Sequence, residues 1–132
     1  MNLIFDTSIL IELERKNKNV IDKIKEYIEL YPAPAKITFI TYFEFYYGIQ
    51  NKNIKNKEKA MAFVNRFNML RTTKKTAEIL SGLKQNQENN GEMLPLADLL
   101  IASQVIENDG LLLTLDHDFS KIKELNKIIL VG

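Results

Sequence analysis

The chain has 132 residues, 45% of them hydrophobic and 27% charged, enough for one compact domain and too few for two ordinary ones. Lys and Arg number 18 against 17 Asp and Glu, a formal net charge of +1, so the molecule as a whole is no electrostatic magnet for nucleic acid or membrane. With no cysteine and the single histidine His117, disulfides, thiol catalysis and zinc clusters are excluded.

Charge is nevertheless unevenly placed. Residues 51–90 hold nine Lys or Arg against three acids, and residues 91–132 hold three Lys against seven acids. A basic middle can grip a polyanion while an acidic end carries an acidic site, although a Lys-rich stretch is more often a solvated helix face. No apolar run approaches the ~20 residues of a membrane span, and the N-terminus lacks the basic start of a secretory signal. A soluble, cytoplasmic protein is expected.

"NLIF" (2–5) reads as a short buried strand that stops on Asp6. "TSILIELERK" follows as a helix with Asp6 at its cap, and "VIDKIKEYIEL" has apolar residues at 20, 21, 24, 28 and 30, a helical spacing. "YPAP" breaks that helix. "AKITFI" is a second strand, "TYFEFYYGIQ" a helix ending near Gly48, and residues 53–68 a helix with a basic face. "NMLRT" offers a short third strand, and "KKTAEILSGLKQNQENN" a helix ended at Gly91. "PLADLLIASQVIENDG" is a helix with Pro near its start and Gly110 past its end. "LLLTL" is a buried strand, "DFSKIKEL" a short helix and "KIILV" a last strand. Strands alternating with helices predict an α/β fold: one domain over 1–132, with a mainly parallel central sheet flanked by helices. In such sheets ligands bind beyond the carboxyl ends of the strands.

Four acids fall at that edge. Asp6 leaves the first strand, Glu44 follows the second, Asp98 lies in the first turn of its helix, and Asp116 leaves "LLLTL", with Asp118 two residues on. Each has an ordinary structural role open to it. Asp6, Asp116 or Asp118 can cap a helix, Thr41 and Glu44 match a capping box, and Asp98 can complement a helix dipole. Together they are harder to explain without a cation, because four carboxylates in one crevice repel one another. Oxygen ligands without His or Cys suit Mg²⁺ or Mn²⁺, and the usual work of such a site is phosphoryl-ester chemistry.

"LIFDTSILIELE", "TYFEFYYG", "LADLLIAS" and "LLLTLDHDF" resemble, in order and spacing, the acidic motifs of PIN-domain ribonucleases, above all the VapC-type toxins of toxin–antitoxin pairs. The resemblance covers essentially the whole chain. It implies that Asp6, Glu44, Asp98 and Asp116 are catalytic, metal-binding acids, with Asp118 a further candidate ligand. The family carries Asn or Asp at the position of Asp116, and this chain offers two acids there. Ser8 and Thr114 would be hydroxyls that orient carboxylates. It further implies a Mg²⁺-dependent endoribonuclease (Mn²⁺ being the alternative) that cuts structured RNA such as tRNA or rRNA, a cognate antitoxin, and a homodimer.

The residues add a Lys-rich segment for phosphates and the rings Tyr42, Phe43, Phe45, Tyr46 and Tyr47, mostly core, with the rest available to a partner helix. Rival readings are weaker. A receiver domain wants an acidic pair after the first strand and a late Lys, and an aspartyl phosphatase wants an acid where Ser8 stands. An RNA-maturation nuclease and a non-catalytic PIN-like interaction module remain as alternatives.

Overall fold

The structure, a computed structural model, describes residues 1–131. Strand β1 (Asn2–Phe5) pairs in parallel with β4 (Gly110–Thr114) on one side and with β2 (Lys36–Ile37) on the other. β3 (Asn68–Met69) extends the sheet beyond β2, and β5 (Lys127–Ile129) beyond β4. The order β3-β2-β1-β4-β5 is parallel throughout. The chain winds outward from β1 to β3 and then returns to β1's other side, so the topological switch lies between β1 and β4.

Six helices cover the sheet: α1 (Thr7–Glu14), α2 (Lys18–Leu30), α3 (Phe39–Ile49), α4 (Ile54–Val64), α5 (Lys74–Asn89) and α6 (Leu96–Glu107). Alternation along the central strands assigns the two faces. Leu3, Phe5, Ile37, Leu111 and Leu113 join the core beneath α1–α4, with Ile9, Leu10, Ile24, Phe45 and Val64. Ile4 and Leu112 point the other way, into a second core with Leu83, Leu99, Ala102, Val105 and Phe119. Both faces being dry, the central strands read as continuous apolar runs.

Several element ends differ from the sequence expectation. The second strand was expected over "AKITFI" but stops at Ile37, and α3 begins at Phe39. The Thr38 hydroxyl accepts the Thr41 N–H at 3.2 Å and Gln104 Oε1 accepts the Phe39 N–H at 3.0 Å, so side-chain acceptors start a helix where β-branched residues favour a strand. Helix α4 ends at Val64 rather than reaching 68, and the expected helix "DFSKIKEL" is a 3₁₀ turn, His117–Lys121. Gly91 (φ +68°) does end α5, with Gly91 N–H bonded to Glu88 O and Glu92 N–H to Gln87 O. Gly110 does not end α6. The left-handed residue there is Asp109 (φ 50°), and Gly110 already belongs to β4.

Gly110 is required for a different reason. A Cβ on it would sit 2.8 Å from Cγ1 of the fully buried Ile4. Gly82, exposed within α5, has nothing within 4 Å of the same position. Alanine at these two sites should therefore act in opposite directions in urea melts. Gly110→Ala should cost about 1–3 kcal/mol by overpacking, and Gly82→Ala should gain about 0.5–1 kcal/mol by helix propensity. Equal effects would contradict the packing described.

Candidate metal centre

The carboxyl ends of β1 and β4, on either side of the switch, deliver Asp6 and Asp116. Asp6 is 4% exposed and caps α1. Its Oδ1 accepts from Ser8 Oγ at 2.6 Å and from the Ile9 N–H at 3.1 Å, and Thr114 Oγ1 donates to Oδ2. Ser8 and Thr114 each bond a carboxylate oxygen of Asp6, and each is used twice. Ser8 Oγ accepts the Leu115 N–H at 3.0 Å, and Thr114 Oγ1 accepts the Asp116 N–H at 2.9 Å. Burial pushes the Asp6 carboxyl above the ordinary carboxylate range, Asp116 adds to the rise, and the three hydrogen bonds oppose it.

Asp98 enters from the first turn of α6, whose N-terminus opens at this edge and carries no side-chain cap. Asp98, Asp116 and Asp118 each place a carboxylate oxygen so that the three lie within 4.8 Å of one another. Asp116 also caps the 3₁₀ turn, its Oδ1 accepting the Asp118 N–H at 2.9 Å, which folds the second acid back beside the first. The sequence left open whether Asp116 or Asp118 belongs at the site; the structure brings both. Burial, then the charges of Asp116, Asp118, Glu44 and Asp6, push the Asp98 carboxyl up to about 6. Among the described residues one salt bridge reaches these acids, Lys121 Nζ at 4.0 Å from Asp118 Oδ1.

Glu44, exposed on α3, flanks this trio. The capping box open to Thr41 and Glu44 is absent: the cap is Thr38, and Glu44 falls in the second turn, where its carboxylate takes a different partner. Thr7 Oγ1 donates to Glu44 Oε1 at 2.5 Å and lies 3.5 Å from Thr41 Oγ1, which in turn accepts from Thr38 Oγ1 at 3.2 Å. Thr7 was not singled out in the sequence. Its signal was its place between Asp6 and Ser8, the first helical residue after a cap. A set of crowded carboxylates, all oxygen and under-supplied with cations, matches a hard divalent ion with part of its water shell retained.

The PIN domain family model matches residues 3–125, which include all five acids. The chain belongs to the PIN-domain family. Ribonuclease VapC3 of Methanocaldococcus jannaschii is 33% identical over 103 residues, covering 78% of this chain and 97% of that protein. Among solved structures, VapBC2 from Rickettsia felis, bound to a promoter DNA fragment, superposes with a TM-score of 0.85 at 22% identity, over 99% of this chain and 100% of that one. VapBC-1 from nontypeable Haemophilus influenzae gives 0.82 at 21% identity, over 98% of each chain. At such identities these complexes establish a shared PIN fold.

The raised Asp98 carboxyl makes the metal-free PIN domain less stable as its site ionises. Its folded value lies above that of an unfolded Asp, near 3.9. Below about pH 4 both states are protonated and nothing is lost. Between about 4 and 6 the unfolded chain gives up its proton first, so stability falls as pH rises, and above 6 the penalty is complete. In EDTA, Asp98→Asn should therefore raise the melting temperature at pH 7.5 by about 2–4 °C, on the order of 1 kcal/mol once solvent screening is allowed for. At pH 4 it should change little. Equal melting temperatures at pH 7.5 would contradict the crowding.

Proposed function

We propose that this PIN domain, acting over residues 1–132, is a metal-dependent endoribonuclease and the toxin of a VapBC-type pair, working in the cytoplasm on structured RNA such as tRNA or rRNA. The observation that carries the reading is the three-carboxylate cluster of Asp98, Asp116 and Asp118 at the sheet's switch point, with Asp6 and Glu44 beside it. Kinship to a protein named a ribonuclease supports the activity, and the shared fold with VapBC complexes supports an antitoxin partner.

In this reading Asp98, Asp116 and Asp118 hold Mg²⁺ or Mn²⁺, and Asp6 and Glu44 complete the negative wall around it. When bound, the ion lowers the pKa of a coordinated water and screens charge on the phosphate. The protein's part is position. Ser8, Thr114 and the Ile9 amide fix Asp6, while Thr7 holds one oxygen of Glu44 and leaves Oε2 without a protein donor among the described residues, able to take a proton from an approaching water. Arg71, Lys74 and Lys75, exposed after β3 on the same sheet edge, are placed for phosphates flanking the scissile one. Lys52 is less available, being paired with Glu14 at 3.2 Å.

Asp98→Asn should fold and lose at least ~100-fold in RNA cleavage, EDTA should abolish wild-type cleavage, and Mn²⁺ should restore it. Full activity in chelator would refute the metal reading. Growth arrest on expression of the wild type but not of Asp98→Asn would support the toxin role. Normal growth alongside defined cuts in a precursor RNA would favour maturation instead.

A groove of about 220 Å³ between α1 and α3 starts at Glu44 and has a floor of Ile11, Phe45 and Ile49, with Glu14, Arg15 and Lys52 along it. An apolar floor with a charged rim suits an amphipathic antitoxin helix whose basic tail reaches the acids. Phe43, Tyr46 and Tyr47, expected mostly in the core, are instead exposed, and the stacked pair Phe43 and Tyr47 on α3 offers a surface for the homodimer. Gly48 lines the groove, and a Cβ there meets nothing within 4 Å. Gly48→Arg should therefore leave folding and RNA cleavage intact while blocking rescue of growth by a co-expressed cognate antitoxin. Undiminished rescue would place the antitoxin elsewhere.

A further inference from the structure

Gln104, in the third turn of α6, is completely buried. A buried amide is costly unless both ends are bonded. Here both are, to main-chain groups far away in sequence. Oε1 accepts the Phe39 N–H at 3.0 Å, and Nε2 donates to the Leu70 carbonyl at 3.2 Å. Leu70 N–H is itself bonded to Ile37 O at 2.8 Å. One side chain thus ties α6 to the first residue of α3 and to the residue just after β3.

The placement bears on the acids. Phe39 opens the helix that carries Glu44, and Gln104 lies less than two turns from Asp98 on the helix that carries it. An apolar residue of the same length would fill the space but leave the Phe39 N–H and the Leu70 carbonyl without this partner, so the amide serves stability as well as orientation. The Phe39 N–H belongs to the first turn of α3, where no intrahelical acceptor exists, so holding it sets where that helix starts.

We propose that Gln104 is a positioning residue that fixes Glu44 against Asp98 and thereby sets the site's grip on its divalent ion. The inference rests on the metal reading above, and the test separates the two. Proline suits the first position of a helix and has no N–H. Phe39→Pro therefore cuts the tie on the main-chain side while favouring the helix start. Phe39→Ala removes the ring and keeps the N–H, and Gln104→Met removes the tie from its other end. The readout is the Mn²⁺ concentration giving half of the maximal rise in melting temperature, together with kcat and KM on RNA.

Phe39→Pro and Gln104→Met should each raise that concentration roughly five-fold, less than the ~10–100-fold typical of residues bonded directly to a ligand. Both should lower kcat with little change in KM, and Phe39→Ala should match the wild type in metal response. The proline variant keeps the test open if Gln104→Met fails to fold. Identical Mn²⁺ responses for Phe39→Pro and Phe39→Ala would overturn the inference alone. A wild type whose melting temperature ignores Mn²⁺ would overturn the metal reading and this inference with it.

Discussion

Carboxylates brought to one sheet edge cannot all ionise without cost, and the rest of the structure is arranged around that constraint. The protein manages its acids in two ways. Asp6 is buried and supplied with three donors, which fix its orientation and offset part of what burial costs its charge. Asp98, Asp116 and Asp118 lack such a cage and lie within reach of one another, and Asp98 bears the cost as a carboxyl pushed up to about 6. The first arrangement makes a rigid post. The second leaves a demand for positive charge that one cation placed among the three would meet.

The scaffold that makes this tolerable is the pair β1 and β4. Their alternating side chains feed two separate cores, one beneath α1–α4 and one beneath α5, α6 and the 3₁₀ turn. Hydrophobic burial on both faces secures the strands whose ends carry the acids, so local repulsion is absorbed by a stable base. The hydroxyls Ser8 and Thr114 then join the two strand ends directly, each taking a main-chain N–H as well as serving Asp6.

Much of this was legible in the chain. "NLIF" coincides with β1 and "LLLTL" with β4 to within one residue at each end, because strands dry on both faces read as apolar runs. The acids stood out because each broke such a run or opened a helix. What was not legible depended on partners distant in sequence. Glu44 looked like half of a capping box with Thr41 because nothing local reveals that Gln104, 65 residues beyond Phe39, supplies an acceptor that starts α3 early. Gly110 looked like a helix terminator because its sequence neighbours are helical, while the clash that requires glycine is with Ile4 across the sheet. Asp118 could not be ranked against Asp116 until the turn that folds one beside the other was visible.

The bond from Thr114 to Asp6 joins residues 108 positions apart, and this has a consequence for how the molecule is made. A ribosome adding about 5–20 residues each second delivers β1 first and keeps it waiting, one edge unpaired, until β4 appears. Such distant pairing is slow to find, because a long loop must close before any contact rewards it. The stretch up to Asp98 holds one member of the acidic cluster, and the cluster cannot assemble until Asp116 and Asp118 have followed. A chain that stops short of Asp116 and Asp118 therefore lacks the acidic cluster, which forms only once β4 has closed against β1.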